Sequence, residues 1–192
     1  MTQPTQLILS KTQSWIRDFI ITLNVCPFAA AVFNENKIAY RIFQKDKNQC
    51  QPFLFNSIRE LDTKTNIETS LLIFPEMYND FYDFLELIQI GEDIIVDGNY
   101  EGVYQFASFH PSYRFENSNE EDAENYTNRS PYPMLHLIRE KSITEAIEKY
   151  GPTENIPTDN INNLKKIGYQ KLKHAFTNSD WSPLKNKFQN PF

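Results

Sequence analysis

Thr69-Ser70-Leu71-Leu72-Ile73-Phe74 is apolar without a break after its first two residues. A half-exposed strand alternates, whereas a short unbroken apolar run marks a strand covered on both faces. The flanking sequence supplies the cover. Upstream, Pro52 to Asp62 carries Phe55, Ile58 and Leu61 at spacings of three, which predicts a helix. Before it, Ile38 to Phe43 predicts a second strand. Downstream, Asn79 or Asp80 is placed to cap a helix with a face of Phe81, Phe84, Leu85 and Ile88. Ile94-Ile95-Val96, just before Asp97-Gly98, fits the end of that helix or a hairpin strand, and the helix is the favoured reading. Gly102 to Phe109 predicts a third strand, with Val103 and Gln105 opposed to Tyr104 and Phe106.

Further out, Thr5 to Asn24 presents Trp15, Ile16, Phe19, Ile20 and Leu23 at helical spacing, and Pro27 ends that helix. Glu116 to Asn128 is polar and predicts a long loop. Helices are expected from about Pro133, over Ser142 to Lys149 with Ser142 and Glu145 in capping-box spacing, and over Thr158 to Phe176. Strands separated by helix-length connections imply crossover units. The expected fold is α/β: a small parallel or mixed sheet of about three strands, flanking helices and a helical C-terminal part, with α+β as the alternative. Residues 1–192 read as a single domain, with 180–192 an extended tail packed on the body through Trp181, Pro183, Phe188 and Phe192.

The chain has 192 residues and 14% aromatic side chains, enough to build a core without disulfides. Its net charge of −6 argues against a general nucleic-acid binder. Cys26 and Cys50 form no CxxC pair, so neither a disulfide framework nor a zinc ribbon is expected. Cys50 reads as a surface residue. No secretory signal or membrane-spanning run is visible, and the expectation is a soluble cytoplasmic protein without a membrane partner. No GxGxxG, P-loop or GxSxG motif is present. A homo-oligomer is compatible with this composition.

Chemistry concentrates between residues 109 and 140, which hold His110 and His136, two of three histidines, and Arg114, Arg129 and Arg139, three of six arginines. His110 directly follows the third strand, and ligands in such sheets sit beyond the carboxyl ends of the strands. Asn128-Arg129-Ser130 precede Pro131 and Pro133, which predicts a helix start able to hold a carboxylate or phosphate. Arg129 would clamp that anion and His110 and His136 would act as acid and base. Arg114, Asn128, Ser130 and Arg139 would be further substrate contacts. His136 and Arg139, three apart, would share a helix face. Alternatively, Ser-Pro-Tyr-Pro merely starts a helix, with Arg129 paired to Asp122 or Glu124.

The segments Asn24-Val25-Cys26-Pro27-Phe28-Ala29, Phe109-His110-Pro111-Ser112-Tyr113-Arg114-Phe115 and Asn125-Tyr126-Thr127-Asn128-Arg129-Ser130-Pro131-Tyr132-Pro133-Met134-Leu135-His136 resemble the bacterial family catalogued as domain of unknown function 1415. The resemblance spans most of the chain and implies one intact domain. It implies no activity, cofactor or site residue.

The favoured expectation is an enzyme acting on a small anionic metabolite at this His/Arg site. A second expectation is a metal-dependent enzyme, with His110, His136 and Asp122 as candidate ligands for a divalent metal. Cys26, next to Pro27, reads as a packing cysteine, a nucleophile or a haem ligand. Asn125 is a further candidate within the loop. A third expectation is a non-catalytic binding or assembly module that presents Tyr113, Phe115, Tyr126 and Tyr132 to a partner. His174 is expected near the C-terminus of the last helix, helping to satisfy it.

Overall fold

The structure, a computed structural model, describes residues 4–185. In chain order the elements are α1 (Thr5–Trp15), α2 (Ala29–Asn34), β1 (Ile38–Ile42), α3 (Cys50–Thr63), β2 (Thr69–Ile73), α4 (Phe81–Asp97), β3 (Tyr104–Phe109), β4 (Met134–Arg139), α5 (Glu140–Tyr150), α6 (Ile156–Ile167), α7 (Tyr169–Asn178) and α8 (Ser182–Lys185). A π-helical stretch, Ile16–Ile21, prolongs α1, and 3₁₀ turns occupy Lys47–Gln49 and Ala123–Thr127. No helix among the described residues is long and apolar enough to cross a membrane.

The sheet has four strands in the order β1-β2-β4-β3. β1 and β2 are parallel, while β4 runs antiparallel to both β2 and β3. β1, β2 and β3 therefore point the same way, and β4 is threaded back between the last two. The fold is a mixed α/β sheet, as expected, with one strand more.

That extra strand corrects the reading of Pro133 onward. Met134-Leu135-His136-Leu137-Ile138-Arg139 is not a helix; it pairs with β3 along its whole length and with β2 from Met134 to Ile138. Two prolines explain why. Ser130 precedes Pro131 and Tyr132 precedes Pro133, and a residue before proline is driven to extended backbone. The chain thus enters β4 already extended, and Phe74 donates its N–H to the Pro133 carbonyl at 2.9 Å. A short apolar run has no periodicity to distinguish strand from helix.

β2 is buried at all five positions. Leu71, Ile73 and Met134 face α1, the π-helical stretch, α6 and α7, against Ile8, Trp15, Phe19, Leu164 and Leu172. Leu72, Leu135, Leu137 and Tyr104 face α3 and α4, against Leu54, Ile58, Leu61, Phe84 and Leu87. α4 does run through Ile94 and Ile95, capped by Asp80, whose Oδ1 accepts from the N–H groups of Tyr82 and Asp83 at 2.8 and 3.3 Å. Its buried stripe is Phe84, Leu87, Gly91, Ile94 and Ile95, so the expected face is rotated, and Leu85 is exposed. Gly91 sets this: a Cβ there would lie 3.0 Å from the Phe106 ring, so the helix rides close on β3.

Other expectations are corrected in detail. The single helix over Thr158–Phe176 is two helices, broken at Gly168, whose φ of 88° suits glycine. Ser142 does not cap a helix, because α5 begins at Glu140 and the Ser142 hydroxyl donates to the Glu68 carboxylate. Cys50 is not a surface residue but buried, with the Tyr78 hydroxyl 3.3 Å from its sulfur. Trp181 is buried against Phe19 and Phe176, and α8 follows it, so the tail is not extended there. Phe188 and Phe192 lie outside the described residues.

Arg139 belongs to this framework. On β4 it lies opposite Tyr104, whereas the Met134 end pairs with Phe109. Its guanidinium donates to the Leu61 carbonyl, to the Ile67 carbonyl at 3.3 Å and to the Tyr104 hydroxyl at 3.1 Å. A cation on the terminal carbonyls of α3 complements the negative end of that helix. Arg139→Ala is therefore expected to lower stability by about 2 kcal/mol in urea unfolding, leaving two carbonyls short of a donor. A midpoint unchanged from the parent would contradict this.

Candidate functional site

The carboxyl ends of β1, β2 and β3 and the entry to β4 lie along one sheet edge. The 110–133 connection spans that edge between β3 and β4, and side chains inside it fix its course. Asn125 is fully buried: its Oδ1 accepts from the Phe115 N–H at 3.0 Å and the Ser118 hydroxyl at 2.8 Å, and its Nδ2 donates to the Asn119 carbonyl at 2.7 Å. Asp122 accepts from the Asn119 N–H at 2.7 Å. Asn128 donates to the Ser108 carbonyl at 3.1 Å and accepts, through its own carbonyl, from the His110 N–H at 3.1 Å. The buried Ser130 hydroxyl donates to the Tyr132 carbonyl at 2.6 Å. These four residues shape the loop, and each polar group satisfies another.

The two histidines do not converge. His110 has no exposed surface. Its Nδ1 accepts from the Ser112 N–H at 3.0 Å, so its Nε2 carries the proton and donates to the Tyr78 carbonyl at 2.8 Å. The ring packs against Phe81 and Phe84 at 5.3 and 5.1 Å, on the α4 side of the sheet. His136 faces the other side, beside Phe109 at 6.2 Å. The Thr69 hydroxyl donates to the Leu137 carbonyl at 2.6 Å, so its oxygen accepts from His136 Nε2 at 2.7 Å. Burial lowers the pKa of both rings, that of His136 to about 4. With β4 a strand, His136 and Arg139 also point to opposite faces rather than sharing one.

Among the described residues no group of three His, Cys, Asp or Glu side chains is arranged to hold a metal ion. Asp122 is engaged within its own loop, and His110 has no ring nitrogen to spare. Cys26 sits half-buried in the turn after the π-helical stretch, with no bond to either histidine, and burial raises its pKa. That favours a thiol over a thiolate nucleophile. Arg114 is exposed, with only the Tyr82 hydroxyl at 3.5 Å. His174 sits near the C-terminus of α7, where Asn178 donates to its carbonyl at 2.9 Å and contacts its Nδ1 at 3.2 Å.

Arg129 is different. Only 7% of its surface is exposed. Its Nε donates to the Tyr113 carbonyl at 3.2 Å and its Nη2 to the Glu120 carbonyl at 2.8 Å. The guanidinium carbon lies 4.4 Å from the Tyr126 ring centroid. No carboxylate pairs with it among the described residues, so neither Asp122 nor Glu124 plays that part. Arginine keeps its charge in proteins, and a buried charge is ordinarily paired. Here carbonyl dipoles and the Tyr126 side chain, through its π face and a hydrogen bond, offset it, and none of these carries a negative charge.

This guanidinium lines a cleft of about 210 Å³ between the loop and α7. Pro111, Ser112, Glu120, Ser130 and Pro131 form the loop side, and Tyr169, Lys173, Phe176 and Thr177 the helix side. The Lys173 ammonium lies 5.4 Å from the Tyr169 ring centroid. Hydrogen bonding to Tyr169 raises its pKa, with Glu121 and Glu120 adding smaller attractions. A second cleft, of about 200 Å³, includes Arg41 and Lys45. There Arg41 donates twice to Glu60 at 2.6 Å, holding that carboxyl down at about 2. Its cation is already matched.

The α7 wall of the cleft is absent from the site residues expected from the sequence. The signal is present: Lys173 follows Tyr169 by four residues and precedes Phe176 and Thr177 by three and four, the spacings of one helix face.

Residues 7–174 match the family described as "Protein of unknown function (DUF1415)". No curated protein matches the chain. No solved structure does either. With the match covering most of its length and all three quoted motifs, the chain belongs to the DUF1415 family.

Proposed function

We propose that the chain binds a small anionic metabolite, a carboxylate or phosphate, in the cleft between the 110–133 loop and α7, with Arg129 as its anchor. The observation that carries this reading is an arginine only 7% exposed whose guanidinium has no carboxylate partner among the described residues. Two carbonyls and a tyrosine ring hold it in place, which fixes its geometry without cancelling its charge. An anion would complete it with a charge-assisted, bidentate contact. Lys173 adds a second cation on the opposite wall. The Glu120 carboxylate is exposed to solvent and screened. The site requires no helix start, since the chain enters a strand at Met134.

A ligand that binds only the folded state raises the melting temperature. Millimolar inorganic phosphate or acetate is expected to stabilise the parent, and calorimetric titration to give a saturable isotherm. Arg129→Gln is expected to weaken that binding at least tenfold, about 1.4 kcal/mol. Lys165→Gln, which removes only the 3.4 Å ion pair with Glu124 outside the cleft, is expected to leave it unchanged. Should Arg129→Gln fold poorly, Lys173→Gln provides the same comparison on an exposed residue. No binding by the parent, or parent-like binding by Arg129→Gln and Lys173→Gln, would refute the assignment.

A further inference from the structure

Resting on that anion reading, we infer that the ligand carries its anionic group on a single aromatic ring. Size is the first reason. The cleft measures about 210 Å³, many times the minimum space one water requires. It stays below the roughly 300 Å³ at which sites for drug-sized ligands begin. A bare phosphate or acetate at Arg129 would leave most of it unfilled, while one six-membered ring with an acidic substituent matches it.

The walls are the second reason. Pro111 and Pro131 flank the loop side, and Tyr169 and Phe176, both half-buried, line the helix side. These are flat, weakly hydrated surfaces, and ring against ring gains over area burial alone. Arg129 is the third reason. Its guanidinium already lies over Tyr126, so the cation that would take the anion sits in an aromatic corner of the cleft. Aromatic partners also meet edge to face in this corner, with Tyr126 at 4.9 Å from Phe176 and 6.2 Å from Tyr169.

Calorimetric titration of the full chain with paired probes tests this: benzoate against acetate, phenyl phosphate against inorganic phosphate, and cyclohexanecarboxylate and benzamide as controls. Benzoate or phenyl phosphate is expected to bind at least tenfold more tightly than its ringless partner. Benzoate is also expected to exceed cyclohexanecarboxylate, and Tyr169→Leu to narrow the ratio of benzoate to acetate affinity, whatever it does to acetate binding itself. Equal affinity with and without the ring, or for the aromatic and saturated rings, would overturn the inference and leave the anion site standing. Benzamide bound as tightly as benzoate would overturn the anion site itself. Failure of every probe would remove both. If Tyr169→Leu loses its fold by circular dichroism, the comparison among ligands on the parent decides alone.

Discussion

Replacing His110 with alanine is expected to destabilise the protein by about 4 kcal/mol, a large fraction of the roughly 5–15 kcal/mol that holds a domain folded. Two losses combine. The first is packing: the ring has no exposed surface and packs against both Phe81 and Phe84, so truncation opens a cavity beneath α4. The second is polar. The Tyr78 carbonyl loses its 2.8 Å donor and the Ser112 N–H its 3.0 Å acceptor. Each orphaned group costs about 1–3 kcal/mol where water cannot reach it. His110→Phe separates the two, because it refills the volume and restores neither bond; about half of the loss is expected to remain. Urea unfolding of the parent and both variants measures this, provided the slope stays constant. A His110→Ala midpoint close to that of the parent would show that the ring is not the fastening described. Ser112 lines the Arg129 cleft, so the same fastening also sets one rim of the proposed site. Loss of anion binding in His110→Ala would accordingly report a displaced loop rather than a missing base.

The loop that lines the proposed site was legible in the sequence as a concentration of His and Arg, and the rest of the cleft's lining largely was not. The strands at Ile38, Thr69 and Tyr104 could be read because β-rich runs of five or six residues lie between long amphipathic helices. From them the edge at His110 followed by topology alone. Arg129 could be singled out because arginine beside a Pro-x-Pro pair, in a loop already rich in His and Arg, is an unusual local composition. The meaning of the prolines could not be settled in the same way. Ser130-Pro131-Tyr132-Pro133 is compatible with a helix start and with extended entry to a strand. The choice is made by β2 and β3, which leave a gap that only β4 fills, and such long-range pairing has no local signature. The error then spread to His136 and Arg139, whose spacing of three means one face on a helix and opposite faces on a strand. Lys173 was missed for another reason: Arg129 and Glu120, the loop residues that line the same cleft, lie more than forty residues away in sequence, and a lysine at helical spacing is usually a solvated one.

Asn125, Asp122, Asn128 and Ser130 illustrate a further limit. Residue types that bind ligands are also those that close loops, because both tasks need compact hydrogen-bonding groups. Asn125 uses both ends of its amide on the Phe115, Ser118 and Asn119 positions of its own loop. The motif reads as a binding sequence, yet most of it is the mould in which one arginine is held. Distinguishing the two requires counting unused donors, which only the three-dimensional arrangement allows.

Stability is expected to fall as the pH drops from about 6.5 to 4, by about 3 kcal/mol from His136 alone. The sign follows from where the proton goes. Burial holds the folded imidazole neutral down to about 4, whereas in the unfolded chain it titrates near 6.5. Between those values the unfolded state binds more protons, so acid favours unfolding. The contribution is complete above pH 6.5, is lost progressively on the way down, and is constant below about 4. His110, also lowered by burial, acts in the same direction. Glu60, held at about 2 chiefly by Arg41, loses its stabilising effect only in a lower window, beneath the ordinary carboxylate value of 4.5. The histidine window can therefore be read separately. His136→Gln keeps a donor for the Thr69 hydroxyl and has nothing to titrate. Urea unfolding at intervals from pH 7 to 4 is expected to show the parent losing stability more steeply than this variant. Parallel profiles would mean that His136 is already protonated, or freely hydrated, in the folded protein. A steeper parent profile would show that the side chain nearest to an acid–base role by type is held neutral by the sheet face it packs on, with one ring nitrogen committed to Thr69.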